Sequence, residues 1–183
     1  GDGLDAFYPR KSYRPASVRT SGAPVRVVQA APPSLPVNPL PEARVLNQAP
    51  VSLLLQGGAM SRQATREAVW LINGKAMTEQ GMVKGAAAAP PLFVAKANTA
   101  FDMVLDNQTR WYHPLHFHGS WLRQRMGNQW GPIRDTLLVS PNQKVAFRCQ
   151  VGEPGKWMVH CHVLGHQATG MMGYFVVTLG NHE

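Results

Sequence analysis

Six of the seven histidines in this 183-residue chain fall in two short motifs. One is His113-Pro-Leu-His116-Phe-His118-Gly119; the other is His160-Cys161-His162-Val-Leu-Gly-His166, followed by Gly170-Met171. Imidazoles, a thiol and a thioether are donors to transition metals, and one thiolate with two imidazoles and a weak axial thioether suits a blue, electron-transferring copper. A lone His-x-His carries little weight, because zinc sites and cupins use it too. A cupin wants a Glu shortly after the pair, and Ser120-Trp-Leu-Arg-Gln-Arg125 has none. Cys161 alone would read as a small buried apolar residue. The joint pattern is what points to copper.

Side chains alternate faces along an extended segment. In Trp157-Met-Val-His160-Cys161-His162, the residues Trp157, Val159 and Cys161 therefore share one face, and Met158, His160 and His162 share the other. One strand would serve two metal sites. His116 and His118 share a face of their own segment, while His113, separated by Pro114, is free to turn elsewhere.

The paired motifs resemble the C-terminal copper-binding signature of the multicopper oxidases, the laccase-like enzymes built from cupredoxin domains; the match runs from about Val51 to Leu179. The resemblance implies a type 1 copper held by His113, Cys161, His166 and, axially, Met171, with Met172 left to core packing. Some relatives carry Leu at the axial position, and a Met there implies a lower potential than theirs. It further implies that His116 serves a type 2 copper and that His118, His160 and His162 serve the type 3 pair of a trinuclear cluster reducing dioxygen to water. His160, Cys161 and His162 form the electron path, because neighbouring Cα atoms lie only about 3.8 Å apart.

The family's cluster takes as many histidines again from two His-x-His motifs in an N-terminal domain, and only His182 is left over here. The expectation is therefore one part of a larger enzyme. Its partner would be the N-terminal cupredoxin domains of the same enzyme, as a separate or cleaved chain. A small reducing substrate and dioxygen complete the set.

These residues need a scaffold. From about residue 49 to 183 the chain reads as short strands separated by turn residues, predicting an all-β, cupredoxin-like Greek-key β-sandwich. Strands are expected at Val51 to Gln56, Ala68 to Ile72, Leu92 to Lys96, Ala100 to Asp106, Ser120 to Arg125, Thr136 to Val139, Lys144 to Val151, Lys156 to Val163 and Gly173 to Leu179. A turn of helix between His162 and Met171 would let His166 and Met171 reach the metal of Cys161. Lys75 to Pro91 reads as a loop. Residues 1–48 form an extended, proline-rich linker or remnant of a preceding domain, with a short strand at Val25 to Gln29. Nine of the fifteen prolines lie at or before Pro50, and proline bars regular ladders.

Cys149 shares a face with Val145, Phe147 and Val151 and is expected in the core, unpaired. Asp135 reads first as a turn salt bridge and second as a carboxylate orienting a ligand histidine; Asp106-Asn107 reads as strand-end turn chemistry. The net charge of +8 is scattered and has no aromatic platform, so nucleic acid is not expected as a partner. No apolar run is long enough to span a bilayer. The resemblance implies a periplasmic or secreted location.

Three functions of different class follow. The first is an oxidase part taking single electrons from phenols, aromatic amines or metal ions. The second is a single-site blue-copper electron-transfer or copper-binding module. The third is a scaffold that has lost copper. Retention of every expected ligand argues against the third, and the four histidines beyond a type 1 site argue against the second. In the family the chain resembles, methionine-rich stretches mark cuprous-ion oxidases; the eight methionines here are scattered, so the resemblance implies organic substrates.

Overall fold

The computed structural model describes residues 40–58, 61, 65, 68–78 and 90–179, together with residues 19, 21, 22 and 34. The predicted strand Val25 to Gln29, the middle of the loop from Lys75 to Pro91, and His182 lie outside the described residues. The chain divides into two compact units, Gly1–Asn38 and Pro39–Glu183. All that follows concerns the second.

In chain order the strands are β1 (Arg44–Val45), β2 (Val51–Gly57), β3 (Trp70–Ile72), β4 (Val94–Lys96), β5 (Thr99–Asn107), β6 (His113–Phe117), β7 (Ser120–Met126), β8 (Gln129–Arg134), β9 (Thr136–Val139), β10 (Lys144–Val151), β11 (Gly155–Cys161) and β12 (Met172–Thr178). One short helix, α1 (Leu164–Ala168), lies between β11 and β12. The first sheet runs β3-β2-β5-β10-β7-β8, with β1 also on β5; the second runs β4-β12-β11-β6-β9. The all-β expectation holds.

Period-two burial explains the two layers. Along β10 the residues Val145, Phe147, Cys149 and Val151 are buried, as Phe101, Met103 and Leu105 are along β5. The second sheet answers with Leu115, Phe117, Val159, Phe175 and Val177. Phe117 meets Phe147 edge-on across the layers, and Phe175 stacks on Phe93 at 4.7 Å. Such aromatic pairs add about 0.5–1.5 kcal/mol beyond their buried area. Cys149 is a free thiol in this core, as expected, and burial pushes it up to about 12.

Three strands escaped the sequence reading: β1, β6 and β8. The important one is β6, which carries His113 and His116 and leads into His118. Its apolar pattern is broken by Pro114 and by the histidines themselves. Proline is tolerated here because β11 has ended. Pro114 registers beside Leu138 of β9, and its carbonyl accepts the His162 N–H at 2.8 Å, one residue beyond the last residue of β11. A residue's N–H and C=O point to the same side of a strand, so the missing donor forgoes only the last bond of the β6–β11 ladder. The predicted strand Lys156 to Val163 is accordingly shorter, and His162 follows it.

Candidate metal centre

His113 points away from His116 and His118, as the sequence allowed, but by strand alternation and not by a turn at Pro114. It lies on regular β6, and with Leu115 and Phe117 it faces the core while His116 faces out. Three residues of separation, an odd number, send it to the opposite face. On β11, Cys161 and Val159 face the same core, and His160 sits directly beside His116 in register. Alternation on two paired strands thus makes two separate imidazole groups.

The inner group is His113, Cys161 and His166. Cys161 Sγ lies 3.8 Å from His113 Nδ1 and 3.7 Å from His166 Nδ1, and the two nitrogens are 3.2 Å apart. A point equidistant from these three atoms lies about 2.1 Å from each, where nitrogen and sulfur bonds to a first-row ion fall. The donor set fits a metal. His166 arrives on α1, the helical turn expected after His162. Met171 is fully buried; its N–H donates to the His166 carbonyl and its carbonyl accepts the Cys161 N–H. The preceding Gly170, at φ +118°, makes this tight return possible, because a Cβ there would lie 2.4 Å from the Trp70 carbonyl oxygen.

Burial keeps the three groups uncharged near neutral pH. Burial, and then the neighbouring His166, push His113 down to about 4; burial lowers His166 as well. Both imidazoles are neutral near pH 7. Burial raises Cys161 to about 11, against a backbone N–H from Val163 that donates to its sulfur at 3.4 Å. A metal must therefore displace the thiol proton.

Two features were not legible. Trp70, on β3, lies 4.2 Å from the His166 ring and 5.1 Å from the His113 ring, and its other side meets Trp111 at 5.2 Å. It forms a buried wall over both ligands. Asn107, read as turn chemistry, is 1% exposed and bonds Thr109, whose hydroxyl lies 2.7 Å from His113 Nε2. Nothing in their residue types signals either role.

The outer group is His116, His118 and His160, with ligand nitrogens within 4.8 Å of one another. His118 Nε2 and His160 Nε2 lie 3.0 Å apart. His162 is exposed and outside that tight trio, yet its ring centroid is 4.9 Å from His116 and 5.2 Å from His160. Four imidazoles share one face. His160 Nδ1 faces the Cys161 carbonyl at 3.2 Å, and His116 Nδ1 faces the Asp135 carbonyl at 3.1 Å. Each carbonyl fixes the hydrogen on Nδ1 and leaves Nε2 for a metal. Asp135 thus meets His116 directly through its backbone; its mostly exposed carboxylate, at 3.8 Å, accepts at 3.0 Å from the Thr136 hydroxyl, which lies 3.1 Å from His116 Nδ1. His118 is lowered by burial and then by His116, His160 and His162, partly offset by Asp135. His160 is lowered chiefly by burial.

The outer group borders a cavity of about 370 Å³, ample for several waters of ~30 Å³ each, lined by His116, His118, Gly119, Trp121, Asp135 and Trp157 among others. Gly119 turns β6 into β7 at φ +61°, with Trp157 packed where a Cβ would stand.

Comparison with known proteins gives one consistent family. The family described as "Multicopper oxidase" matches residues 47–181. The chain is similar to multicopper oxidase MmcO of Mycobacterium tuberculosis, 32% identical over 123 residues that make up 67% of this chain and 21% of that protein. It is also similar to copper resistance protein A of Escherichia coli, 34% identical over 104 residues, 56% of this chain and 15% of that protein. Among solved structures, a multicopper oxidase of Campylobacter jejuni, described as a metallo-oxidase, superposes with a TM-score of 0.58 at 21% identity, over 79% of this chain and 32% of that one. That likeness shows the cupredoxin-like fold. The chain spans about a fifth or less of the length of these curated relatives.

Proposed function

Because the chain belongs to the multicopper oxidase family, whose cofactor is copper, we propose that it is the part of such an enzyme that takes up electrons and delivers them to one half of a trinuclear cluster. Copper, when bound, accepts one electron at a time at the type 1 centre, and the cluster spends four on reducing dioxygen to water. His113, Cys161 and His166 would hold the type 1 ion, and Met171 would add a weak thioether donor. His116 would serve type 2, and His118, His160 and His162 the type 3 pair.

The observation that carries this reading is the division of labour on β11. Cys161 turns its sulfur inward to His113 and His166, while His160 beside it turns outward to His118 at 3.0 Å. One covalent segment joins the two groups, so electrons cross through bonds. Trp70 keeps water from the inner ligands. His116 and His118 line a cavity and His162 is exposed beside them, which leaves room for a second set of histidines from N-terminal cupredoxin domains, whether preceding this segment or on another chain.

The reducing substrate would be a phenol, an aromatic amine or a metal ion, and the location periplasmic or secreted. Among the described residues no helix is long and apolar enough to cross a membrane. A single-site electron carrier is the second reading, favoured only by the completeness of the inner group within this chain; it leaves four clustered imidazoles without a use.

The test is reconstitution. The copper-loaded chain is mixed with a polypeptide carrying the family's two N-terminal His-x-His motifs, and oxygen uptake is followed with a phenolic donor. Uptake should require both components. Uptake by this chain alone, or none from a mixture in which both components are folded and copper-loaded, would overturn the proposal.

A further inference from the structure

We infer that Thr109 and Asn107 are positioning residues that hold His113 in the one tautomer able to bind a metal through Nδ1. This rests on the proposed type 1 role of His113. A neutral imidazole carries one hydrogen and one lone pair on its two nitrogens. For Nδ1 to face Cys161 and His166 as a donor of electrons, the hydrogen must sit on Nε2.

His113 is fully buried, and its Nε2 faces the Thr109 hydroxyl at 2.7 Å. A hydroxyl can donate or accept there, so the direction depends on where its own hydrogen goes. Asn107 decides that. Its Nδ2 donates to the carbonyls of Trp111 at 2.7 Å and Ser140 at 2.9 Å, and faces that of Val139 at 3.4 Å. Rotating the amide by half a turn would set oxygen against three carbonyl oxygens, so its orientation is fixed. Its Oδ1 therefore points at Thr109, accepting the backbone N–H at 2.9 Å and standing 2.8 Å from the hydroxyl. The Trp111 N–H also donates to that hydroxyl oxygen, at 3.2 Å.

The consistent order runs one way. His113 Nε2–H donates to Thr109 Oγ1, and Thr109 Oγ1–H donates to Asn107 Oδ1. Every donor has an acceptor, and the Nδ1 lone pair is left aimed at the other two ligands before any metal arrives. Of the carbonyls that fix Asn107, one belongs to Trp111, two residues before the ligand, and two to the end of β9 and the residue after it; Val139 is the register partner of His113. The segments that flank the ligand thus set its tautomer.

The experiment reads the tautomer directly. Long-range nitrogen–proton correlation on the metal-free, isotopically labelled chain reports which ring nitrogen of His113 carries the hydrogen. The wild-type chain should show it on Nε2. Thr109→Val, nearly the same shape without the hydroxyl, should shift the hydrogen to Nδ1 or to a mixture. It should also weaken copper at the thiolate site by about 10–100-fold, measured by chelator competition. Thr109→Ser should restore both. A wild-type hydrogen on Nδ1, or a folded Thr109→Val chain that keeps both the tautomer and the affinity, would overturn the inference. If the tautomer behaves as described while copper gives no thiolate absorption, the positioning role stands and the type 1 assignment falls.

Discussion

Copper capture by the metal-free chain should release one proton at the inner site near pH 7, and the structure says where that proton comes from. His113 and His166 are both lowered by burial, His113 to about 4, so neither carries a proton to lose. Cys161 is fully buried with its thiol raised from 9.0 to about 11. At 1.36 kcal/mol per pH unit, removing that proton at pH 7 costs about 5 kcal/mol, of which burial accounts for about 3. Copper affinity at this site should therefore rise about tenfold per pH unit between pH 7 and pH 9. The assay is calorimetric titration in buffers of different ionisation enthalpy, with the thiolate-to-copper absorption used to follow this site alone. Release of two protons would mean that a ligand imidazole is charged in the empty site. Release of none would mean a preformed thiolate, and either result refutes the reasoning from burial.

Three further outcomes follow from the same geometry. Gly170→Ala puts a Cβ 2.4 Å from the Trp70 carbonyl at a φ of +118°; it should cost about 3 kcal/mol in urea unfolding and alter the visible copper absorption, because the loop holding Met171 must move. Metal-free stability should fall with acid. Between pH 6.5 and about 4 the unfolded chain binds a proton at His113 that the folded chain refuses, which removes about 3 kcal/mol by pH 4, and His113→Gln should lose that part of the slope in denaturant midpoints. Asp135→Ala should leave copper content within about threefold by elemental analysis, because the backbone carbonyl orients His116; a loss beyond the roughly tenfold typical of a ligand's supporting partner would assign the role to the carboxylate instead.

Much of the centre was legible because it obeys strand parity. The separation of Cys161 from His160 into two groups needs only that side chains alternate, and the structure places them so. The sandwich followed from alternating runs such as Val145 to Val151. The separate direction of His113 was legible, but not that it lies on a regular strand: a proline at the end of a ladder can stay in a strand, and that cannot be seen without the pairing. Trp70 and the Asn107–Thr109 pair were invisible for a different reason. Trp70 stands on β3, far from the ligands in sequence, and reaches them only because Val69 and Trp70 donate to the Thr169 carbonyl beside Gly170. Asn107 and Thr109 have the residue types of an ordinary turn, and only the carbonyls of Trp111, Val139 and Ser140 give their amide and hydroxyl a direction.

The central claim is that His113, Cys161 and His166 form a type 1 copper site, and electron paramagnetic resonance of the cupric-loaded chain tests it most directly when read beside visible absorption. The account predicts an intense thiolate-to-copper band together with the narrow copper hyperfine splitting of a covalent thiolate site, both lost in Cys161→Ser. A band that survives that substitution, or a wild-type chain giving only the wide splitting of tetragonal nitrogen and oxygen ligation, would contradict it.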